Sequence, residues 1–131
     1  MIALDTNILV RLVLYDDEAQ AKAAERLLVR ARRERTEVFV ADVVLCELVW
    51  VLSRRAGLSR ADIAAALDQL LRTELVVVAD PAIVERALAA YRAGRGDFAD
   101  YLIREQARTA GAREVATFDR MLKGEADFRV M

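Results

Sequence analysis

Short apolar runs alternate along this chain with longer amphipathic segments. That alternation limits the fold more than any other feature. Met1 to Leu4, Val38 to Ala41, Leu75 to Ala79 and Glu114 to Ala116 read as strands, and Phe128 to Val130 as a last edge strand. Helix signals fill the intervals. Thr6 or Asn7 caps a helix to about Tyr15. Asp16-Asp17-Glu18 puts negative charge at the start of a second helix, which ends near Arg33 among basic residues, as the helix dipole favours. Asp42 caps an apolar helix through about Arg55, closed by Gly57. Ser59 and Asp62 have capping-box spacing and open a helix to about Arg72. Asp80-Pro81 is an N-cap with proline at the first helical position, starting a helix to Ala93. Gly94 and Gly96 form a loop, Asp97 to about Ala110 is a helix stopped by Gly111, and a short helix ends at Lys123. The pattern predicts one domain over residues 1–131, an α/β fold built as a three-layer α/β/α sandwich with a central, mainly parallel sheet. Ligands of such sheets bind beyond the carboxyl ends of the strands.

Four acids fall where apolar residues dominate. Asp5 ends the first apolar run. Glu47 is the only charged residue between Val43 and Leu52. Asp100 opens Asp100-Tyr101-Leu102-Ile103, and Asp119 follows Val115 to Phe118. A buried lone carboxylate costs several kcal/mol, so acids in such places call for a cation. Each also has an ordinary reading. Asp5 and Asp119 fit helix starts, and Asp97 fits an N-cap with Asp100 in its first turn. Glu47 fits a narrow exposed stripe with Ser53 or Arg54. The chemical case rests on all four being brought together by the topology, with Asp97 three residues before Asp100 as a fifth candidate.

The chain has no His and one Cys. An acidic site would therefore hold a hard cation, Mg²⁺ or Mn²⁺, and zinc sites based on cysteine are excluded. Histidine general-base mechanisms and Ser-His triads are excluded as well. Carboxylates around a divalent cation suit phosphodiester hydrolysis, in which the ion activates water and offsets charge on the phosphate. Cys46 reads as a small core residue. Net charge is −1, so no bulk basic signature marks a nucleic-acid binder. Arg30, Arg32, Arg33 and Arg35 read as a solvated helix end. No signal peptide and no membrane-spanning run is visible, which makes the cytoplasm the expected location.

Met1-Ile2-Ala3-Leu4-Asp5-Thr6-Asn7, Ala41-Asp42-Val43-Val44-Leu45-Cys46-Glu47-Leu48-Val49-Trp50-Val51-Leu52, Asp97-Phe98-Ala99-Asp100-Tyr101-Leu102-Ile103 and Ala116-Thr117-Phe118-Asp119 occur in that order. Together they resemble a PIN domain, and more narrowly the VapC-type toxins of type II toxin–antitoxin modules. The resemblance implies a Mg²⁺-dependent endoribonuclease. Asp5, Glu47 and Asp100 would form its metal cluster, with Asp119 as a fourth, more variable member and Asp97 as a further candidate ligand. Thr6, Asn7 and Thr117 would be polar supports. It also implies a homodimer and a cognate antitoxin that blocks the site. One departure stands out. The family tends to carry small residues after Ile103, whereas this chain has Arg104-Glu105-Gln106-Ala107-Arg108, which predicts a more exposed helix or an Arg104 that meets RNA or a partner.

Two other functions fit parts of the pattern. A phospho-receiver domain would need paired acids after the first strand and a lysine after a late one; here Asp5 stands alone, and the only lysines are Lys22 and Lys123. A catalytically silent interaction module would be expected to lose an acid, and none of the four is lost. The helices Asp16 to Arg33 and Ser59 to Arg72 could form a groove for a partner helix, though their apolar stripes mostly suit packing on a sheet.

Overall fold

The computed structural model describes residues Met1–Met131. It contains β1 (Ile2–Ala3), α1 (Thr6–Leu14), α2 (Glu18–Arg33), β2 (Val38–Phe39), α3 (Asp42–Arg54), α4 (Arg60–Arg72), β3 (Val76–Val77), α5 (Pro81–Ala93), α6 (Phe98–Ala110), β4 (Val115–Thr117), a 3₁₀ turn (Arg120–Leu122) and β5 (Phe128–Val130). No helix is long and apolar enough to cross a membrane. The chain forms two compact units, Met1–Ala79 and Asp80–Met131.

In the first unit β2 lies between β1 and β3, and both pairings are parallel. The strands are shorter than the apolar runs that encode them. Leu75 shows why: its φ of 71° is left-handed, so β3 begins only at Val76. Asp5, not Thr6 or Asn7, caps α1, because its backbone is extended and its carboxylate takes the Thr6 N–H. Ala41 occupies the cap of α3 and Asp42 is already helical. Asp17 and Ser59 cap α2 and α4 through their side chains. The helices bury one face each: Leu45, Leu48, Val49 and Leu52 from α3, Ile63 and Leu67 from α4, Leu9 and Val10 from α1. Helix α2 contributes only Ala21, Ala24 and Ala31, small residues that permit close packing against α1.

In the second unit α5 packs on α6, with the Tyr91 and Phe98 rings edge to face at 6.2 Å. Strand β4 pairs in parallel with β5, Thr117 opposite Val130, and the Met131 N–H bonds the Thr117 carbonyl. That pairing extends β4 to Thr117. It also makes β5 an edge strand, as expected, paired with β4 in a two-stranded sheet.

Candidate active site

Asp5 follows β1 directly and is solvent-exposed. Its Oδ1 accepts the Thr6 N–H at 2.8 Å, so the ordinary capping role is real and leaves its second oxygen for other use. The Thr6 side chain is buried, and its hydroxyl finds no hydrogen-bond partner. Asn7 is exposed. Glu47 also faces solvent, and here the sequence premise of a buried acid is corrected. Its helical neighbours Val43 and Trp50 are themselves 62% and 50% exposed, and Arg54 continues the same open stripe. Val43 and Trp50 share its exposed stripe, while Val44, Leu45, Leu48 and Val49 of the same run turn to the core.

In the second unit three acids sit at the starts of two short-range structures. Asp97 caps α6 through Oδ1 to the Phe98 N–H (3.1 Å), and Asp100 Oδ2 accepts the Asp97 N–H (2.8 Å), closing a capping box. Asp119 caps the 3₁₀ turn through Oδ1 to the Met121 N–H, and its own N–H is held by the Thr117 hydroxyl at 3.0 Å. Asp97 and Asp119 are exposed; Asp100 is half-buried. Desolvation pushes the Asp100 carboxyl above the ordinary carboxylate range. The capping hydrogen bond from Asp97 opposes that rise, and the charges of Asp97 and Asp119 add to it.

The donor set is all carboxylate oxygen, which suits a hard divalent cation. The raised Asp100 is a local feature that a cation held beside it would relieve. No group of three or more His, Cys, Asp or Glu side chains is drawn together as a ready metal cage.

The segment after Ile103 corrects expectation. Arg104 and Glu105 are buried, 7% and 3% exposed. The Arg104 guanidinium lies 5.1 Å from the Tyr101 ring and 5.6 Å from Phe128, and bonds the Ala126 carbonyl. Glu105 takes two hydrogen bonds from Arg108 (2.8 and 3.0 Å), and Arg86 approaches at 3.7 Å. Arg108 also reaches Asp127 at 2.7 Å. Arg104 and Glu105 are thus built into the second unit and are not a binding face, while Arg86, Arg108 and Asp127 keep access to solvent. Only their place on an otherwise apolar helix face could have signalled this. The Arg-rich end of α2 is partly neutralised: Arg30 pairs with Glu34, and Arg32 and Arg35 with Glu74. Cys46 is half-buried on α3.

Residues 2–125 match the PIN domain family. A VapC ribonuclease of Aquifex aeolicus is 28% identical over 120 residues, covering 92% of this chain and 88% of that protein. The crystal structure of Mycobacterium tuberculosis VapC20, described as a sarcin–ricin loop cleaving toxin, aligns at 21% identity with a TM-score of 0.46, covering 96% of each chain.

Proposed function

Because the chain belongs to the PIN-domain family, and with it to the three-layer α/β/α fold class, we propose that it is a divalent-metal-dependent endoribonuclease and the toxin of a toxin–antitoxin pair. The relative named as a ribonuclease, similar over nine-tenths of the chain, supports the RNA substrate. The observation that carries the reading is the family match across residues 2–125; at Asp100, desolvation and the charges of Asp97 and Asp119 oppose ionisation. A site that keeps carboxylates under such repulsion gains from a cation.

Asp5, Glu47 and Asp100 are the proposed ligands, with Asp119 as the fourth. Asp97 is a weaker candidate, since its Oδ1 is engaged by the Phe98 N–H. Thr6, Asn7 and Thr117 support them; Thr117 does so by fixing the Asp119 backbone. The cation is Mg²⁺, with Mn²⁺ as a substitute of like preference. When bound it supplies Lewis-acid activation of water and charge neutralisation at the scissile phosphate. With no histidine in the chain, carboxylates or solvent must take the proton released by the attacking water. The two units are read as one domain because the family match runs through both. An antitoxin and a second copy of the chain are the proposed protein partners, in the cytoplasm.

Purified protein should cleave RNA in MgCl₂. Asp5→Asn and Asp100→Asn should each lower the rate about 100-fold or more. Unchanged cleavage by either variant would reject the assignment. A catalytically silent interaction module is the second reading, favoured by exposed Val43 and Trp50 on α3. Full survival of RNA in MgCl₂ would select it.

A further inference from the structure

Tyr101 has no place in the proposed ligand set, yet it is fully buried and its hydroxyl is placed with care. It accepts the Gly96 N–H at 2.9 Å and donates to Glu125 Oε1 at 3.0 Å. The same Glu125 oxygen takes the Arg95 N–H at 3.1 Å, and the Arg95 guanidinium bonds the Lys123 carbonyl at 2.7 Å. Glycine at position 94 is what admits the phenol, since a Cβ there would collide with the Tyr101 hydroxyl. Four hydrogen bonds therefore tie the Gly94–Gly96 loop to α6 on one side and to Lys123–Glu125 on the other.

Each end of this tie leads to a candidate ligand. Gly96 precedes Asp97, whose N–H holds the Asp100 carboxylate. Glu125 closes a run of backbone hydrogen bonds that begins at Asp119: Leu122 N–H to the Asp119 carbonyl, Lys123 to Arg120, and Glu125 to Leu122. Leu122, in the middle of that run, is buried. The turn bearing Asp119 and the loop that orients Asp100 thus share one fastening point.

We propose that the Tyr101–Glu125 hydrogen bond is a positioning device, which sets Asp119 against Asp100 so that the two can serve one divalent cation. Tyr101 and Glu125 touch neither ion nor substrate; they act through the Gly94–Gly96 loop and the 3₁₀ turn. The inference rests on the metal-dependent reading above.

The test is Tyr101→Phe, which deletes the hydroxyl and keeps the ring that packs on Arg104 and Phe128. Two quantities are read: the MgCl₂ concentration giving half-maximal RNA cleavage, and the rise in melting temperature that MgCl₂ produces in the absence of RNA. Tyr101→Phe should raise the half-saturating MgCl₂ about tenfold, leave the rate at saturating MgCl₂ within about twofold, and shrink the thermal shift. Glu125→Gln keeps an acceptor oxygen and should stay near wild type, whereas Glu125→Ala should reproduce Tyr101→Phe and replaces it should that variant not fold. In an Asp119→Asn background the Tyr101→Phe effect should shrink, because the clamp places Asp119 against Asp100. A folded Tyr101→Phe or Glu125→Ala protein with unchanged MgCl₂ dependence overturns the proposal, and so does an undiminished effect in the Asp119→Asn background. If the wild type itself neither cleaves RNA nor gains stability from MgCl₂ or MnCl₂, the metal-dependent reading fails first.

Discussion

Asp100 carries a conflict that a pH titration can expose. Its folded carboxyl is raised above the ordinary value, chiefly by desolvation. Between the unfolded and folded values the native state binds more protons than the unfolded chain, so the slope of stability with pH is negative. The penalty is absent below the unfolded value, grows as pH rises toward the folded one, and is complete above it. Asp100→Asn removes it while its amide oxygen can still accept the Asp97 N–H. In EDTA at pH 7 the variant should melt no lower than wild type and show a shallower fall in stability from pH 4 to 7. A lower melting temperature at pH 7 together with an unchanged pH slope would contradict this. The helix-start places of Asp97, Asp100 and Asp119 were legible in the sequence; the surroundings of Glu47 were not. Glu47 looks buried in a linear run, but Val43 and Trp50 share its exposed stripe, and a run of apolar residues does not say which helical face each one occupies.

Helix α6 was legible at both ends and opaque in its middle. Asp97 and Gly111 mark its limits as caps should, with Gly111 left-handed at a φ of 93°. The buried Arg104 and Glu105 answer to partners distant in sequence, Arg86 on α5 and Phe128 on β5, which local spacing does not reveal. Strand limits failed for a similar reason: the turn at Leu75 and the pairing of β4 with β5 set them. Glu105→Ala leaves Arg108 and Arg86 without their shared carboxylate. Both arginines retain access to water, so the loss should be about 1–3 kcal/mol, read as a lower urea midpoint at an unchanged m-value. A change within a few tenths of a kcal/mol would mean that the buried carboxylate is not a fastening of the second unit.

At the scale of the molecule, the parallel α/β class followed from alternation of strands and helices. Division of the ladder into a three-stranded and a two-stranded sheet did not, because strand pairing partners are not encoded in any one run. A single PIN domain spanning Met1–Ala79 and Asp80–Met131 should melt as one cooperative body. Fluorescence of Trp50, the sole tryptophan, reports the first unit, and far-UV circular dichroism reports both. Coincident transitions are expected, and separated ones would make the units independent. The most direct test of the central claim is RNA cleavage by EDTA-stripped protein as MgCl₂ is added back, with Asp5→Asn and Asp100→Asn run alongside. The expected result is no cleavage in EDTA, cleavage that rises and saturates with MgCl₂ for the wild type, and a rate lower by about 100-fold or more for each variant. Cleavage that persists in EDTA, or that either variant retains unchanged, would contradict it.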